Sequence, residues 1–430
     1  MAIGFLRWRR VLGVEKAGLL GRLALASILA LLPAAAQAQT TLQNAVLIAS
    51  EIDPGINALR HEIASKTVGV QAARDERYPK VSLSADTASS GADGAGLTLT
   101  VSQVIYDWGR VKQLIASASQ DRVIAVAEMK KGTEQLTLDV SNYFIDVESL
   151  DRKIARTKDY LAFARRIAGH AEARANAGRG NRGEVARARL EVTRAEEQMS
   201  QLQSDRILAI SQLEFLMGRH PGRLFPAPEL GFASRYSSAD AVASPVRLSP
   251  EQIKASARLA KAEADIGLAK ASRLPSIQLQ AQVRSDFDRG RTKTAVGLST
   301  GVNLGAGAIT GRQVELAKLQ TDAARENANA VARNLTNGVR SSLERIRLLR
   351  SSEGSQQAQL GQSEEVLANY EQQFVGGQRE LIDLLTTGRD LYDAQVDLID
   401  TFDERKRTEY QAAFDLGVLG SLILASSNRG

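Results

Sequence analysis

The residues best suited to chemistry in this chain are acidic and lie near its C-terminal end. Carboxylates that lie close together can hold a metal ion or act as an acid and a base. The steps between these aspartates are short and helical, however, which places their side chains on one face of a helix. The spacing favours a hydrophilic helix face exposed to water over a metal or catalytic site. The residues concerned are Asp383, Asp390, Asp393, Asp397, Asp400 and Asp403.

Histidine, cysteine and glycine-rich stretches indicate no other catalytic centre. His61, His170 and His220 lie far apart and in no metal-ligand spacing. The chain contains no cysteine, which excludes disulfides, thiolate metal sites and a cysteine nucleophile. Its glycine-rich stretches interrupt helical patterns and do not follow a strand, as a phosphate-binding loop would. We therefore expect no enzymatic activity, no cofactor and no bound metal.

Two glycine-containing breaks interrupt long helical patterns at similar places in the two halves of the chain. The first contains Gly178 and Gly180 in RANAGRGNRGEV, and the second contains Gly376 and Gly377 in QFVGGQRELID. Glycine inside a helix is unfavourable by about 1 kcal/mol relative to alanine. A break that is repeated in this way predicts a bend specified by the fold, with charged residues placed directly after it.

Composition and the N-terminus indicate an exported, helix-rich protein. Of the 430 residues 43% are hydrophobic but only 5% are aromatic, which favours long helices packed through small side chains. A basic stretch, a short apolar run and Ala36-Gln37-Ala38 predict a signal peptide over residues 1–38. The alternative, a membrane anchor, needs about 20 consecutive apolar residues, and the apolar run in this segment is about half that length. Much of the formal charge of +6 lies in this segment, so basicity does not point to nucleic acid.

Proline placement and an internal repeat divide the mature chain. No proline occurs between Pro79 and Pro221 or after Pro275, so very long helices are permitted there. Each half has the same order of a helix, two strands, a long helix, a glycine break and another long helix. We therefore predict a first structural repeat over 39–220, a proline-rich connector over 221–250 and a second structural repeat over 251–430.

Alternating residues in each half predict strands, and heptad-like spacing predicts coiled-coil helices. Residues 81–86, 97–102 and 277–282 each alternate between apolar and polar side chains. Strands of about ten residues match a tilted transmembrane strand, although an ordinary soluble hairpin is the alternative. Apolar seams such as Leu136–Val140 and Leu343–Ile346 predict helix pairing. From 107 to 172, a helix of about 65 residues would extend near 100 Å.

These predictions combine into one architecture, which is mainly α with a small β part and an internal duplication. Four strands per protomer cannot close a barrel, and open strand edges are not tolerated in lipid. Three copies would supply twelve strands, within the range of transmembrane barrels. The predicted fold is therefore a long α-helical coiled-coil barrel joined to a β-barrel that trimerisation completes. The alternative hypothesis, from a different class of protein, is a soluble periplasmic coiled-coil scaffold.

The duplicated order of these motifs resembles the TolC family of outer-membrane channel proteins over essentially the whole mature chain. The matching stretches include VSQVIYDWGR and QQFVGGQRELIDLL, and the latter looks like the branch that serves type I secretion. The resemblance implies a homotrimer in the outer membrane of a Gram-negative bacterium, in contact with its lipid, with a long periplasmic part. It implies two further partners, a periplasmic adaptor and an inner-membrane ABC or proton-driven transporter.

The resemblance also assigns a periplasmic gate to the glycine breaks. By position it assigns Phe374, Arg379 and Asp383 to the second break and Glu184 to the first, and we expect Arg379 to pair with Glu184. Phe374 stands where relatives often carry tyrosine, and Thr386 stands where a second acid often follows. The expected function is an exit duct for type I protein secretion or efflux, with a drug efflux duct of a proton-driven pump as the alternative.

Overall fold

The computed structural model describes residues 40–86, 95–287, 290–302 and 311–427, so the predicted signal peptide lies outside the described residues. The first half begins with four helices and two strands: α1 Leu42–Ile52, α2 Pro54–Asp75, β1 Lys80–Asp86, β2 Gly96–Tyr106, α3 Arg110–Asn176 and α4 Arg182–Met217. The remaining elements are α5 Phe232–Arg235, α6 Ala239–Leu248, α7 Pro250–Ala271, β3 Ser276–Asp286, β4 Thr292–Gly301, α8 Arg312–Val375, α9 Leu381–Asp415 and α10 Leu419–Ser427.

The four strands form one antiparallel sheet in the order β1-β2-β3-β4. The central pairing joins the two halves of the chain, since β2 from the first half pairs with β3 from the second, with Val101 opposite Ala281. The predicted hairpins are confirmed by the pairing of β1 with β2 and of β3 with β4. The outer strands β1 and β4 carry exposed apolar side chains, namely Val81, Leu83, Val296 and Leu298.

Two helices run without interruption from the sheet to the opposite end of the molecule. With 67 residues in α3 and 64 in α8, each is about 100 Å long at 1.5 Å per residue. Each starts after a glycine with positive φ, Gly109 or Gly311, so the chain turns sharply between strand and helix. Asp107 stabilises the start of α3, because its carboxylate accepts hydrogen bonds from the backbone N–H of Gly109 and Val111.

The helices pack side by side in a layer whose two edges differ. Towards the sheet α3 lies between α2 and α7, and α7 in turn contacts α8. Towards the far end α3 lies between α4 and α9, and α9 in turn contacts α8. The two outer helices of the far half are therefore α4 and α8. Both carry exposed large apolar side chains, among them Ile207, Leu208, Phe215, Leu348 and Val366.

The main hydrophobic core lies midway along the molecule, where the predicted seams meet. Leu136, Val140, Leu343 and Ile346 are all buried there, as the heptad-like spacing predicts. The proline-rich segment is more than a connector, because α5, α6 and the residues before them enter this core through Leu230, Phe232, Val242 and Val246. In the described part of the chain, no helix is both long and apolar enough to cross a membrane.

Candidate functional site

The far end of the molecule is formed by the two glycine breaks, which fold in the same way. Helix α3 ends where the N–H of Arg179 donates to the carbonyl of Arg174, 2.9 Å away, and Gly178 adopts a φ of 71°. Helix α8 ends where the N–H of Gln378 donates to the carbonyl of Gln373, also at 2.9 Å, and Gly377 adopts a φ of 77°. A left-handed glycine with this bond is a Schellman ending, which satisfies the last carbonyls of a helix.

The other two glycines of the breaks have different roles. Gly376 keeps a right-handed conformation at the C-cap of α8. Gly180 lies beside the next helix, where a Cβ atom would approach Glu184 Oε2 to 3.2 Å and the backbone nitrogen of Ala175 to 3.3 Å. The bend at 178–181 therefore depends on a small residue at position 180, in addition to the turn at Gly178.

The helices that follow the breaks begin at equivalent residues. Asn181 is the N-cap of α4, and its side-chain oxygen accepts a hydrogen bond of 2.8 Å from the backbone N–H of Glu184. Glu380 is the N-cap of α9, without a side-chain bond of that kind. Glu184 and Asp383 then occupy the same place in the first turn of their helices, where a negative charge interacts favourably with the helix dipole.

Arg379 is held within its own segment and does not contact Glu184 in the chain. Its guanidinium lies 3.3 Å from Asp383 Oδ2 and donates to Gln373 Oε1 at 3.3 Å. The same group stacks over the ring of Tyr370, 3.8 Å from the ring centre. The predicted pair of Arg379 with Glu184 therefore does not form within the chain, and it stays a prediction for the assembled protein. The reason is local, since Arg379 lies just before the N-cap of α9 and its side chain meets Asp383 in the first turn of α9 and Gln373 in the last turn of α8.

Glu184 has one satisfied and one unsatisfied carboxylate oxygen. Its Oε1 accepts a hydrogen bond from the side-chain amide of Asn181 at 3.3 Å. Its Oε2 is buried within the chain and has no hydrogen-bond partner among the residues that the structure describes. A buried carboxylate oxygen without a donor is unfavourable by about 1–3 kcal/mol or more, so the Glu184 side chain gains stability if it rotates to meet a donor.

Phe374 is fully buried and links the two breaks through Arg174. The guanidinium of Arg174, at the end of α3, donates to the backbone carbonyl of Phe374 at 2.8 Å. It also lies over the Phe374 ring, 4.6 Å from the ring centre. The last turn of α8 is thus capped by a side chain from α3. Sequence reasoning missed Arg174, since nothing local marks an arginine that reaches another helix end.

A second hydrophobic cluster holds the four helices together above the breaks. It contains Tyr160, Phe163 and Ile167 of α3, Ala188 and Ala195 of α4, Phe374 of α8, and Leu381, Leu384 and Tyr392 of α9. Gly388 of α9 contacts the ring of Phe163 so closely that a Cβ atom there would lie 2.6 Å from Cζ. The end of the molecule is therefore a packed bundle in which α9 is seated against α3.

The aspartates of α9 form the exposed face that their spacing predicts. Asp390, Asp393, Asp397 and Asp400 are exposed, whereas Asp403 is half-buried and pairs with Arg407. Burial and the neighbouring carboxylates raise the pKa of Asp393 although Arg389 lowers it. Within the described ranges, no group of three or more acidic or histidine side chains is arranged to hold a metal ion.

Arg166 and Glu371 form a two-point ion pair between α3 and α8 near the breaks, and it should make the bundle acid-sensitive. The two contacts are 2.6 and 2.9 Å long, and the hydrogen bond from Arg166 lowers the pKa of Glu371 below 4.5. A lowered carboxylate pKa stabilises the fold above the unfolded-state pKa, and this stabilisation is lost as pH falls through the folded-state value.

We expect Arg166→Gln to reduce stability near pH 7 by up to about 1 kcal/mol, because the pair is partly exposed to solvent. The variant and the wild type should converge once the pH falls below the lowered pKa of Glu371. Apparent melting temperature measured across pH by circular dichroism tests this. Arg165→Gln is the control, because Arg165 pairs with Glu196 on α4 and not with α8. A stability gap between Arg166→Gln and wild type that persists unchanged in acid would contradict the prediction.

Comparison with known proteins identifies the class to which this architecture belongs. The model of the outer membrane efflux protein family matches residues 47–219 and 248–414. The chain belongs to this family, which comprises channel proteins and not enzymes. The family was expected from the sequence, and this expectation is confirmed. Its members are trimers that work with adaptor proteins and inner-membrane pumps.

Individual relatives are distant in sequence but similar over nearly their whole length. Outer membrane efflux protein BepC of Brucella suis biovar 1 is 22% identical over 405 residues, which are 90% of this chain and 85% of that protein. The structure of CusC, a channel-forming protein, superimposes with a TM-score of 0.75 at 16% identity, covering 87% of this chain and 91% of that one. VceC from Vibrio cholerae gives 0.73 at 17% identity, covering 87% and 96%. These superpositions confirm the predicted fold.

Proposed function

We propose that this chain forms a homotrimeric exit duct in the outer membrane of a Gram-negative bacterium. In this proposal the sheets of three subunits close into a twelve-stranded barrel in contact with lipid, and the helices extend into the periplasm as a tunnel. The end formed by the two glycine breaks is the periplasmic mouth. The residues of the mouth are those assigned to the gate, namely Glu184, Phe374, Arg379 and Asp383, together with Gly178, Gly180, Gly376 and Gly377.

The observation that carries the proposal is the presence of two different open edges on one chain. In the described sheet β1 and β4 each pair with a single neighbour. The edge that begins at β1 continues into α2, and the edge that begins at β4 continues into α8. Two unlike edges pair head to tail, and a head-to-tail contact that repeats around an axis closes into a ring. Exposed apolar side chains on β1, β4, α4 and α8 favour burial in that contact.

We propose further that Glu184 pairs with Arg379 across this contact between subunits, through a rotation of the Glu184 side chain that exposes its carboxylate. Arg379 of the partner subunit is the candidate donor, because Arg379 is only partly buried and its intrachain contacts of 3.3 Å leave donors unused. Phe374 lacks the hydroxyl that tyrosine would add, so the gate depends on this arginine. Each pair is partly exposed and contributes about 0.2–1 kcal/mol, but threefold symmetry multiplies the effect of breaking it.

The experiment is single-channel recording of the detergent-extracted protein in a planar lipid bilayer. We expect a small wild-type conductance, because the proposed gate holds the mouth closed, and a several-fold larger conductance for Arg379→Ala. Asp383→Ala removes the intrachain partner of Arg379, so it should raise conductance. It also removes the ring of three Asp383 carboxylates that the trimer would place at the mouth, so it should reduce the preference for cations. Arg312→Ala, in the first turn of α8 at the opposite end, is the control and should conduct like the wild type.

The outcome that rejects the duct is a protein that stays out of membranes and forms no trimer by native mass spectrometry, which would favour the soluble scaffold.

The cargo is a separate question. We propose export driven by an inner-membrane transporter through a periplasmic adaptor, with type I protein secretion placed first because of GGQRELIDLL and drug efflux by a proton-driven pump as the alternative. Deletion strains separate them, since one loses a secreted protein and the other gains drug sensitivity.

A further inference from the structure

Glu191 is a buried carboxylate at the junction of three helices, one of them α9. Its residue surface is only 7% exposed, although it lies on α4, an outer helix of the bundle. The N-cap of α4 is ten residues away, so Glu191 lies about 15 Å from the glycine break at 1.5 Å per residue. A carboxylate is seldom buried unless charged or hydrogen-bonding groups compensate it.

Three side chains compensate Glu191, and they come from three helices. Tyr160 of α3 donates a hydrogen bond of 2.7 Å to Oε1. Arg389 of α9 approaches the same oxygen to 3.6 Å, and Arg194 of α4 itself lies 3.4 Å from Oε2. Burial and the Glu191 carboxylate raise the pKa of Tyr160, so its hydroxyl stays protonated and remains the donor.

The network extends from Tyr160 into α9 a second time. The rings of Tyr160 and Tyr392 are stacked with their centres 4.8 Å apart. The hydroxyl of Tyr392 lies 2.9 Å from that of Thr157, which is fully buried on α3. Helix α9 is therefore joined to α3 through Tyr392 and to α4 through Arg389. Both connections meet at the pair formed by Tyr160 and Glu191.

Outside the hydrophobic cluster above the breaks, the described residues show few contacts between α4 and α9. A cleft of about 540 Å³ separates the two helices here and is lined by Arg187, Arg194, Arg389 and Thr386, among others. Among the described residues, the ion pair of Arg389 with Glu191 is the one that crosses between these helices. Other ion pairs of α4, such as that of Glu196 with Arg165, lead to α3.

We propose that Glu191 is a positioning residue that holds the mouth closed by fixing α9 against α3 and α4 above the glycine breaks. The proposal rests on the duct function, since it assigns a new residue to the same gate. When α9 moves away from α4, the contact of Arg389 with Glu191 is lost, and the buried carboxylate keeps only Tyr160 and Arg194. The network therefore favours the closed arrangement, and this contribution is independent of Arg379.

The test is the conductance of Glu191→Gln and Arg389→Gln in planar bilayers, beside Arg379→Ala. Glutamine keeps the size of Glu191 and still accepts from Tyr160, but it removes the attraction to Arg389. We expect several-fold higher conductance for each variant and no further increase when the two are combined, because both remove the same contact. Arg389→Lys keeps the positive charge and should conduct like the wild type.

The matched control is Glu196→Gln, which removes a carboxylate from α4 that pairs with α3 alone. It should leave conductance unchanged. Apparent melting temperatures identify any variant that raises conductance only by loosening the whole trimer, and Arg389→Gln covers the case in which Glu191→Gln does not fold. If Arg379→Ala conducts more but Glu191→Gln and Arg389→Gln conduct like the wild type, this inference is wrong and the duct stands. If no variant conducts, the duct itself is rejected and this inference with it.

Discussion

Replacing Glu148 with leucine is expected to lower the apparent melting temperature by about 4–6 °C, a large effect for one substitution in a chain of this length. Glu148 of α3 accepts a hydrogen bond of 2.7 Å from Lys406 of α9, and the Lys406 side chain is only 3% exposed. It also accepts from the backbone N–H of Ala227 at 3.2 Å. Leucine leaves the ammonium group buried without its carboxylate, which is unfavourable by about 3–5 kcal/mol.

Two further variants show whether the buried pair is the cause. Glu148→Leu combined with Lys406→Met removes both charges and should recover most of the lost stability, since a well-packed apolar pair is often neutral in effect. Glu404→Leu breaks the exposed pair of Glu404 with Arg345 and should lower stability by at most about 1 kcal/mol. Equal losses for Glu148→Leu and Glu404→Leu, measured by circular dichroism, would contradict the prediction.

The second large effect is expected from Gly388→Ala, which adds one methyl group between α9 and α3. The new Cβ atom would lie 2.6 Å from Cζ of Phe163 and closer still to Cε1. Phe163 is buried in the cluster above the glycine breaks, so α9 has to shift outwards. Overpacking of this kind is unfavourable by about 1–3 kcal/mol. We expect a lower melting temperature together with a higher conductance in planar bilayers.

A smaller partner should reverse this effect. Phe163→Leu in the Gly388→Ala background makes room for the methyl group and should return conductance towards the wild-type value. Gly361→Ala provides the control on another long helix, because a Cβ atom there meets nothing within 4 Å. It should be neutral or stabilising by up to about 1 kcal/mol through helix propensity. If Gly388→Ala and Gly361→Ala behave alike, then packing against Phe163 does not position α9.

Local periodicity made much of the architecture predictable. Alternation marked the hairpins, the absence of proline marked the long helices, and seam residues such as Val140 and Ile346 are buried as expected. The duplication was readable because the same number of residues separates Gly178 from Gly377 as separates Glu184 from Asp383. Periodicities of two, three or four residues are properties of single strands or helices. They can therefore be recognised in the sequence without knowing how these elements pack together.

The details of the site depend on contacts between distant elements, and these were not predictable from the sequence. Arg174, Glu191 and Gly388 each act through a residue on another helix, and no local spacing identifies that residue. The short separation along the chain predicts Asp383, four residues ahead, as the partner of Arg379, whereas the family resemblance predicts Glu184. The composition of the proline-rich segment predicts a connector and does not reveal that Leu230 and Phe232 enter the core.

The unequal lengths of the helices allow α9 to tilt relative to the two full-length helices. Helices α3 and α8 span the whole distance from the sheet, whereas α9 starts at the glycine break and ends at Asp415, beside the central core. Its 35 residues form an arm of about 52 Å that is anchored in the central core at one end and packed against α3 and α4 at the other. A tilt of about 10° at the anchor therefore moves the other end by about 9 Å, at the 1.5 Å rise per residue of a straight helix. Once the contacts of α9 with α3 and α4 are released, a rotation of about 10° near Tyr410, far from the mouth, displaces Asp383 by about 7 Å.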